Sequence, residues 1–148
     1  MNPKMFEGIL NSPARNRYRR FNSATTDQNK VWLLQNEDGE YVSVQDEEGH
    51  KDYLLFSDKE FAEYMKGENT VTFLKPMKLL DFVKPLTSQT EIGFMVMPNG
   101  KDSFKVDAAK LYCDYFDELK RVASFSEKKF WEYQDFVDSL KQKMKEKQ

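Results

Sequence analysis

Arginines are the side chains of this sequence best suited to binding. Four of the five arginines lie close together, at Arg15, Arg17, Arg19 and Arg20. Guanidinium groups bind phosphates and carboxylates through paired hydrogen bonds, and grouped arginines are common where proteins contact nucleic acid. On a helical wheel, Arg15 and Arg19 lie opposite the apolar face, whereas Arg17 and Arg20 lie beside it. This arrangement favours a solvated helix surface, with a binding site as the alternative.

Trp131 is the second candidate for binding. In the last predicted helix it lies off the apolar stripe, among Glu127, Gln134 and Asp138. Tryptophan is enriched at the energetic centres of protein interfaces. We therefore expect either an anchor for a partner or an indole covered by another part of the chain, with residues 1–11 as one possible cover.

The remaining reactive side chains form no catalytic motif. His50 lies in an acidic turn beside Glu47 and Glu48, which favours an exposed loop residue over a catalytic base. Cys113 lies at the edge of a helical stripe and is interpreted as a small, partly buried side chain, since a nucleophile would need a neighbouring base. The Gly-rich phosphate-binding motifs, the EF-hand spacing and the usual zinc ligand sets are missing. The sequence therefore predicts no catalytic residue, no metal and no cofactor, although a carboxylate pair for hydrolysis stays open.

Length and composition describe one soluble domain over residues 1–148. The hydrophobic fraction is 39%, the charged fraction 32% and the net charge −2. This near-neutral balance argues against a nucleic-acid-binding protein, which is usually basic. A single cysteine excludes an intramolecular disulfide, and the N-terminus shows no signal peptide or membrane helix. We therefore expect a cytoplasmic protein that does not bind a membrane.

The stretch Lys30–Ser57 organises the predicted fold. It reads as a meander of three short strands. Tight turns at Asp38-Gly39 and Glu48-Gly49 join the strands. Further strands are predicted over residues 70–74, 92–97 and 103–106, the last two forming a second hairpin.

Helices with apolar stripes surround these strands. Three serines are expected to cap them: Ser12 before a helix that ends near residue 26, and Ser57 and Ser124 in capping boxes. Asp107 is expected to cap a helix that ends near residue 123, and residues 1–11 form a loose lead-in. The helix after Asp107 and the one after Ser124 should make an antiparallel pair. The sequence therefore predicts an α+β fold, with an antiparallel or mixed sheet of five to six strands, packed helices and a C-terminal helical pair.

The stretch from about Arg17 to Leu119 resembles a family of small bacterial proteins called domain of unknown function 2750. The resemblance rests on Tyr18 and Phe21 and on the segments VWLL, YLLFSDKEFAEYMKG, LKPMKLLDFVKPL and GFMVMPNG. The family usually has a Trp-Pro pair where this chain has Phe56-Ser57. The resemblance implies a small bacterial α+β domain, with residues 124–146 as an appended helix. No catalytic residue can be carried over, because none is established for the family.

Three functions stay open at this point. The leading hypothesis is a non-enzymatic module, of a regulatory or immunity type, that binds another protein or a second copy of itself. It depends on the missing catalytic motifs, the 14% aromatic content and Trp131. The alternative is an enzyme whose carboxylates or small-molecule pocket assemble only in three dimensions, although the sequence leans against one. A weaker alternative is binding of an anionic ligand or nucleic acid through the Arg15–Arg20 helix.

Overall fold

Helices and strands make an α+β fold in the computed structural model, which describes residues 1–146. The helices are α1 (Pro3–Leu10), α2 (Ala14–Gln28), α3 (Lys59–Met65), α4 (Pro76–Val83), α5 (Ala108–Val122) and α6 (Glu127–Glu146), with a 3₁₀ helix at Lys84–Ser88. The strands are β1 (Val31–Gln35), β2 (Ser43–Gln45), β3 (Lys51–Leu55), β4 (Thr70–Leu74), β5 (Ile92–Val96) and β6 (Phe104–Asp107). The predicted fold class and the C-terminal helical pair are confirmed.

The described strands form two sheets rather than the single sheet that we predicted. Four strands make a mixed sheet in the order β2-β3-β5-β6, in which β3 and β5 are parallel. The other two strands, β1 and β4, pair antiparallel, with Val31 opposite Leu74. The meander over Lys30–Ser57 is therefore only partly correct. The main partner of β1 is β4, which follows α3, and β1 keeps only isolated bridges to the meander, at Tyr41 and Phe56. Local turn signals specify neighbours along the chain, whereas the main partner of β1 lies far along the sequence.

The two glycine turns form as expected. Gly39 and Gly49 have φ values of 79° and 88°, which are strained for residues with a side chain. Each turn also contains an Asx motif, in which Asn36 Oδ1 and Asp46 Oδ1 each accept two backbone N–H groups at 2.8–3.0 Å. The turns are thus specified by residues on both sides of the glycines.

Helix α5 is the centre of the hydrophobic core. It contacts α2, α4, α6 and the 3₁₀ helix, as well as β5 and β6. Its predicted stripe is buried from Ala108 to Leu119. Val122, the last residue of α5, is 51% exposed.

Helix α6 packs on α5 of the same chain, as an antiparallel partner. The Phe116 ring stacks on the Tyr133 ring with centroids 5.4 Å apart. One turn earlier in α5, Tyr112 meets Phe136, which lies one turn later in α6, at 4.9 Å. Burial of these large rings stabilises the pair, since each aromatic side chain removes a large apolar area from water.

The N-terminal residues form a helix instead of the loose lead-in that we predicted. Asn2 caps α1, because its Oδ1 accepts the backbone N–H of Met5 at 2.8 Å. Phe6 stacks on Phe61 of α3, with centroids 4.9 Å apart. Ser12 does not cap α2; its Oγ donates to the Ile9 carbonyl at the end of α1. A helix this short depends on such tertiary contacts, which the sequence pattern does not display.

Two of the other predicted caps are wrong, and one is confirmed. Asp107 Oδ1 accepts the N–H of the residue three positions later at 2.7 Å, as a helix cap does. At α3, Ser57 Oγ donates to the carboxylate of Asp58, and no side chain caps the helix. At α6, Ser126 rather than Ser124 accepts a first-turn N–H. Several polar residues precede each of these helices, and packing selects among them.

Arg17 is buried at the junction of α2 with the β5–β6 loop. Its side chain is 1% exposed. The Nε atom donates to the Met97 carbonyl at 2.9 Å, and Nη1 donates to the Ser12 carbonyl at 2.5 Å. The Nη2 atom donates to both the carbonyl and the carboxylate of Asp102. The prediction of a solvated arginine helix is therefore wrong at Arg17, because two of the three carbonyl groups that its donors satisfy lie 80 residues or more away.

We expect Arg17→Met to lower the free energy of unfolding by about 2–5 kcal/mol, because the buried carbonyl oxygens would lose their donors. Urea denaturation followed by circular dichroism measures this loss. The matched control is Arg15→Met, on the exposed side of the same helix, which should change stability by less than about 0.5 kcal/mol. Equal stability of the two variants would contradict the structural role of Arg17.

Candidate functional site

The four arginines of α2 have two different environments. Arg17 is buried as described above, and Arg20 pairs with Asp58, whose carboxylate lies 3.2 Å from Nη2. Gln28 also donates to the Asp58 carboxylate, at 3.3 Å. Arg15 and Arg19 are exposed and make no ion pair or hydrogen bond through their side chains within residues 1–146. Of the four predicted binding arginines, these two are therefore available to a ligand.

Arg15 and Arg19 line a cavity of about 330 Å³, here called the arginine groove. It lies between α2 and α5, beside the start of β6. Lys110 supplies a third cation, and the other lining residues are Tyr18, Asn22, Phe104, Asp114 and Asp117. Because Arg15 and Arg19 are four residues apart on one helix, they project from the same face.

Hydrogen bonds and ion pairs engage the carboxylates of the arginine groove. The Tyr18 hydroxyl donates to Asp114 Oδ2 at 2.8 Å, and Lys110 Nζ donates to the same oxygen at 2.9 Å. Asp117 pairs with Lys120 at 3.1 Å. Burial, followed by the nearby Asp114 charge, raises the pKa of the Tyr18 phenol far above its usual value, so this hydroxyl stays a neutral donor.

One wall of the arginine groove is aromatic, and one polar atom beside it lacks a partner. The Tyr18 ring stacks on the Phe104 ring, with centroids 4.2 Å apart and planes 14° from parallel. Asn22 Oδ1 is buried and accepts no hydrogen bond from the described residues. A buried acceptor without a hydrogen bond lowers the stability of the fold unless a donor reaches it. The groove thus combines cations, an apolar surface and an unused acceptor.

Trp131 is 50% exposed on the outer face of α6. Its ring meets Phe130 edge to face, with centroids 5.3 Å apart. The covering of the indole by residues 1–11, one of the two expectations, does not occur, because Phe6 packs on α3 instead. Trp131 therefore offers an apolar surface held in place by its neighbour.

His50 and Cys113 do not form a catalytic pair. His50 is exposed in the β2–β3 turn, where it lines a cavity of about 250 Å³ with Asp46, Asp52 and Lys105. Cys113 is buried on α5, and no hydrogen bond joins the two side chains in the part of the chain that the structure describes. Among residues 1–146, no group of three or more His, Cys, Asp or Glu side chains has a geometry that could hold a metal ion.

Sequence reasoning missed the residues that give the arginines their separate roles. Asp58 accepts hydrogen bonds from Arg20, Asp102 accepts one from Arg17, and Tyr18 donates one to Asp114. Lys110 and Asp114 lie four residues apart on α5, a spacing that favours an ion pair on a helix, and the pair forms. Only its position beside the arginines could not be predicted from the sequence.

None of the helices in residues 1–146 combines the length and the apolar character needed to span a membrane.

Residues 18–111 match the model of a protein family described as "Protein of unknown function (DUF2750)". The matched segment agrees with the resemblance predicted from about Arg17 to Leu119. No curated protein matches the chain. The match includes most of the arginine groove, whereas Trp131 and all of α6 lie beyond it.

We expect the Cys113 thiol to be unreactive in the folded chain at pH 8, because burial raises its pKa to about 11 from an ordinary value of 9.0. Iodoacetamide should alkylate the urea-unfolded chain much faster than the native chain. The folded state holds this proton more tightly than the unfolded state does. The stability that it contributes is therefore complete below pH 9 and is lost as the pH rises to about 11.

The control for this pH dependence is Cys113→Ala. Burial also raises the pKa values of Tyr18, Tyr112 and Tyr115, so some alkaline destabilisation should persist in the variant. The loss between pH 9 and 11 should nevertheless be smaller than in the parent chain, by at most about 2 kcal/mol. Identical dependence of stability on pH in the two proteins would show that burial does not raise the pKa of the Cys113 thiol.

Proposed function

The chain belongs to the DUF2750 family, and from its own surface we propose that it is a non-enzymatic module that binds another protein through Trp131. The observation that carries this proposal is the half-exposed indole on α6. Tryptophan is strongly enriched among the few interface residues that supply most of the binding energy. An indole in water on a stable helix is therefore a candidate anchor for a partner.

The packing beneath Trp131 favours an anchor that is already ordered. Phe130, which meets the indole edge to face, also lies 5.8 Å from the ring of Phe116. Phe125 and Tyr133 complete this aromatic cluster, with centroids 5.7 Å apart. A side chain supported in this way loses little conformational freedom on binding, which leaves more of the contact energy for affinity.

The polarity of the surrounding surface favours a different protein over a second copy. The exposed residues of α6 near Trp131 carry charges of both signs, including Lys128, Glu132 and Asp135. A stable homodimer usually buries about 800 Å² on each partner around an apolar centre. One indole within a charged surface fits better into a pocket on a partner that has its own apolar lining.

The absence of paired reactive groups is consistent with binding rather than catalysis. Cys113 is buried, and the His50 ring makes no hydrogen bond in the part of the chain that the structure describes. A general base needs its substrate within hydrogen-bonding reach and a nucleophile needs an activating base. The alternative of an enzyme would therefore have to use carboxylates in one of the shallow cavities.

The experiment compares affinity capture from host lysate by the parent chain, by Trp131→Ala and by Tyr64→Ala. Tyr64 is 56% exposed on α3 and is the matched control for loss of an exposed aromatic ring. We expect one protein to be recovered with the parent and with Tyr64→Ala, and to be lost with Trp131→Ala. Truncation of an anchor tryptophan should weaken binding of the purified partner by about 30-fold or more.

Fluorescence of Trp131 gives an independent readout in a Trp32→Phe background. The Trp32 indole nitrogen is buried without a hydrogen-bond partner, so phenylalanine should be tolerated there. Acrylamide should quench Trp131 strongly in the free chain and weakly in the complex. Recovery of the same protein by Trp131→Ala would contradict the proposal. So would a dimer of the free chain, measured by light scattering, that Trp131→Ala disrupts.

A further inference from the structure

We infer that the arginine groove binds a small phosphate monoester that also carries hydroxyl groups. This site is separate from the Trp131 surface and does not depend on the function proposed above. The first support is the difference among the α2 arginines. Arg17 and Arg20 are used by the fold, whereas Arg15 and Arg19 face the groove without partners among the described residues. Guanidinium groups bind phosphate oxygens through paired, charge-assisted hydrogen bonds.

The charges of the groove favour an anion despite its two carboxylates. Tyr18 and Lys110 already occupy the carboxylate of Asp114, and Lys120 pairs with Asp117. The two arginines therefore line the groove without an ion-pair partner among the described residues. Carboxylates that are already paired with lysines repel a phosphate less than unpaired carboxylates would.

The walls of the groove indicate that the ligand is an ester rather than bare phosphate. The partly exposed Phe104 ring, which stacks on the buried Tyr18 ring, offers an apolar surface beyond the cations. Asn22 lines the groove, and its buried Oδ1 has no donor; a hydroxyl group of the ligand would supply one when this side chain turns into the groove. The groove volume of about 330 Å³ lies at the lower end of the range for small-molecule sites.

The same features disfavour a nucleic acid strand. The chain has a net charge of −2, and the two free arginines lie in a cavity of only about 330 Å³. Strands are bound along extended basic grooves with several stacking platforms. A compact ester needs only the two arginines and one hydroxyl acceptor.

The test is a titration of the ¹⁵N-labelled full chain, followed by NMR at constant ionic strength. The probes are ribose 5-phosphate, ribose, inorganic phosphate and a thymidine oligonucleotide. We expect ribose 5-phosphate to shift the amide signals of residues 15–22 and 104–114 in a saturable way. Ribose should cause no shifts, and inorganic phosphate should bind more weakly than the ester.

Three variants identify the groups responsible. Arg15→Gln/Arg19→Gln should weaken binding of ribose 5-phosphate by about tenfold or more. Lys59→Gln/Lys78→Gln removes two exposed cations from α3 and α4 and should change it by less than about twofold. Asn22→Ala should weaken binding of ribose 5-phosphate but leave that of inorganic phosphate unchanged. Melting temperatures check that each variant is folded.

Four results would overturn the inference. The first is the absence of saturable shifts at the groove. The second is equal affinity of the parent and the double arginine variant, and the third is equal affinity for ribose 5-phosphate and inorganic phosphate. The fourth is tighter binding of the oligonucleotide with a steep salt dependence, which would assign the arginines to nucleic acid instead.

Discussion

The buried guanidinium of Arg17 is the interaction on which the arrangement of α2 depends. It joins the end of α1, the start of α2 and the β5–β6 loop through the carbonyl groups of Ser12, Met97 and Asp102. Met97 has a φ of 55°, a conformation that is unfavourable for a residue with a side chain. The hydrogen bond from Arg17 to its carbonyl, and the one from Ser57 N–H to its sulfur, help to hold this conformation.

The position of α2 in turn determines which charges can meet a ligand. With Arg17 directed inward and Arg20 held by Asp58, the helix presents Arg15 and Arg19 beside α5. Tyr18 lies between these two arginines in sequence and connects α2 to Asp114. The fold and the arginine groove therefore share one helix, with some of its polar residues serving packing and others facing solvent.

At the other end of α5, aromatic packing determines the position of the second proposed surface, around Trp131. Phe116 contacts rings from the α5–α6 loop and from α6, and this cluster places Phe130 beneath Trp131. The two proposed surfaces thus depend on the same central helix but would bind their ligands through different interactions. One offers unpaired cations around a small cavity, and the other offers an exposed indole on a rigid support.

The sequence by itself determined the features that depend on local periodicity and turn chemistry. It predicted the α+β class, the glycine turns, the buried stripe of α5 and its pairing with α6, because burial repeats at the helical period and few residues adopt positive φ. Tertiary structure alone decided that β1 pairs with β4, that α1 forms against Phe61, and that Arg17 is buried whereas Arg15 is not. Each of these outcomes depends on a partner far along the chain, and a helical wheel carries no information about which distant carbonyl or ring will face a given residue.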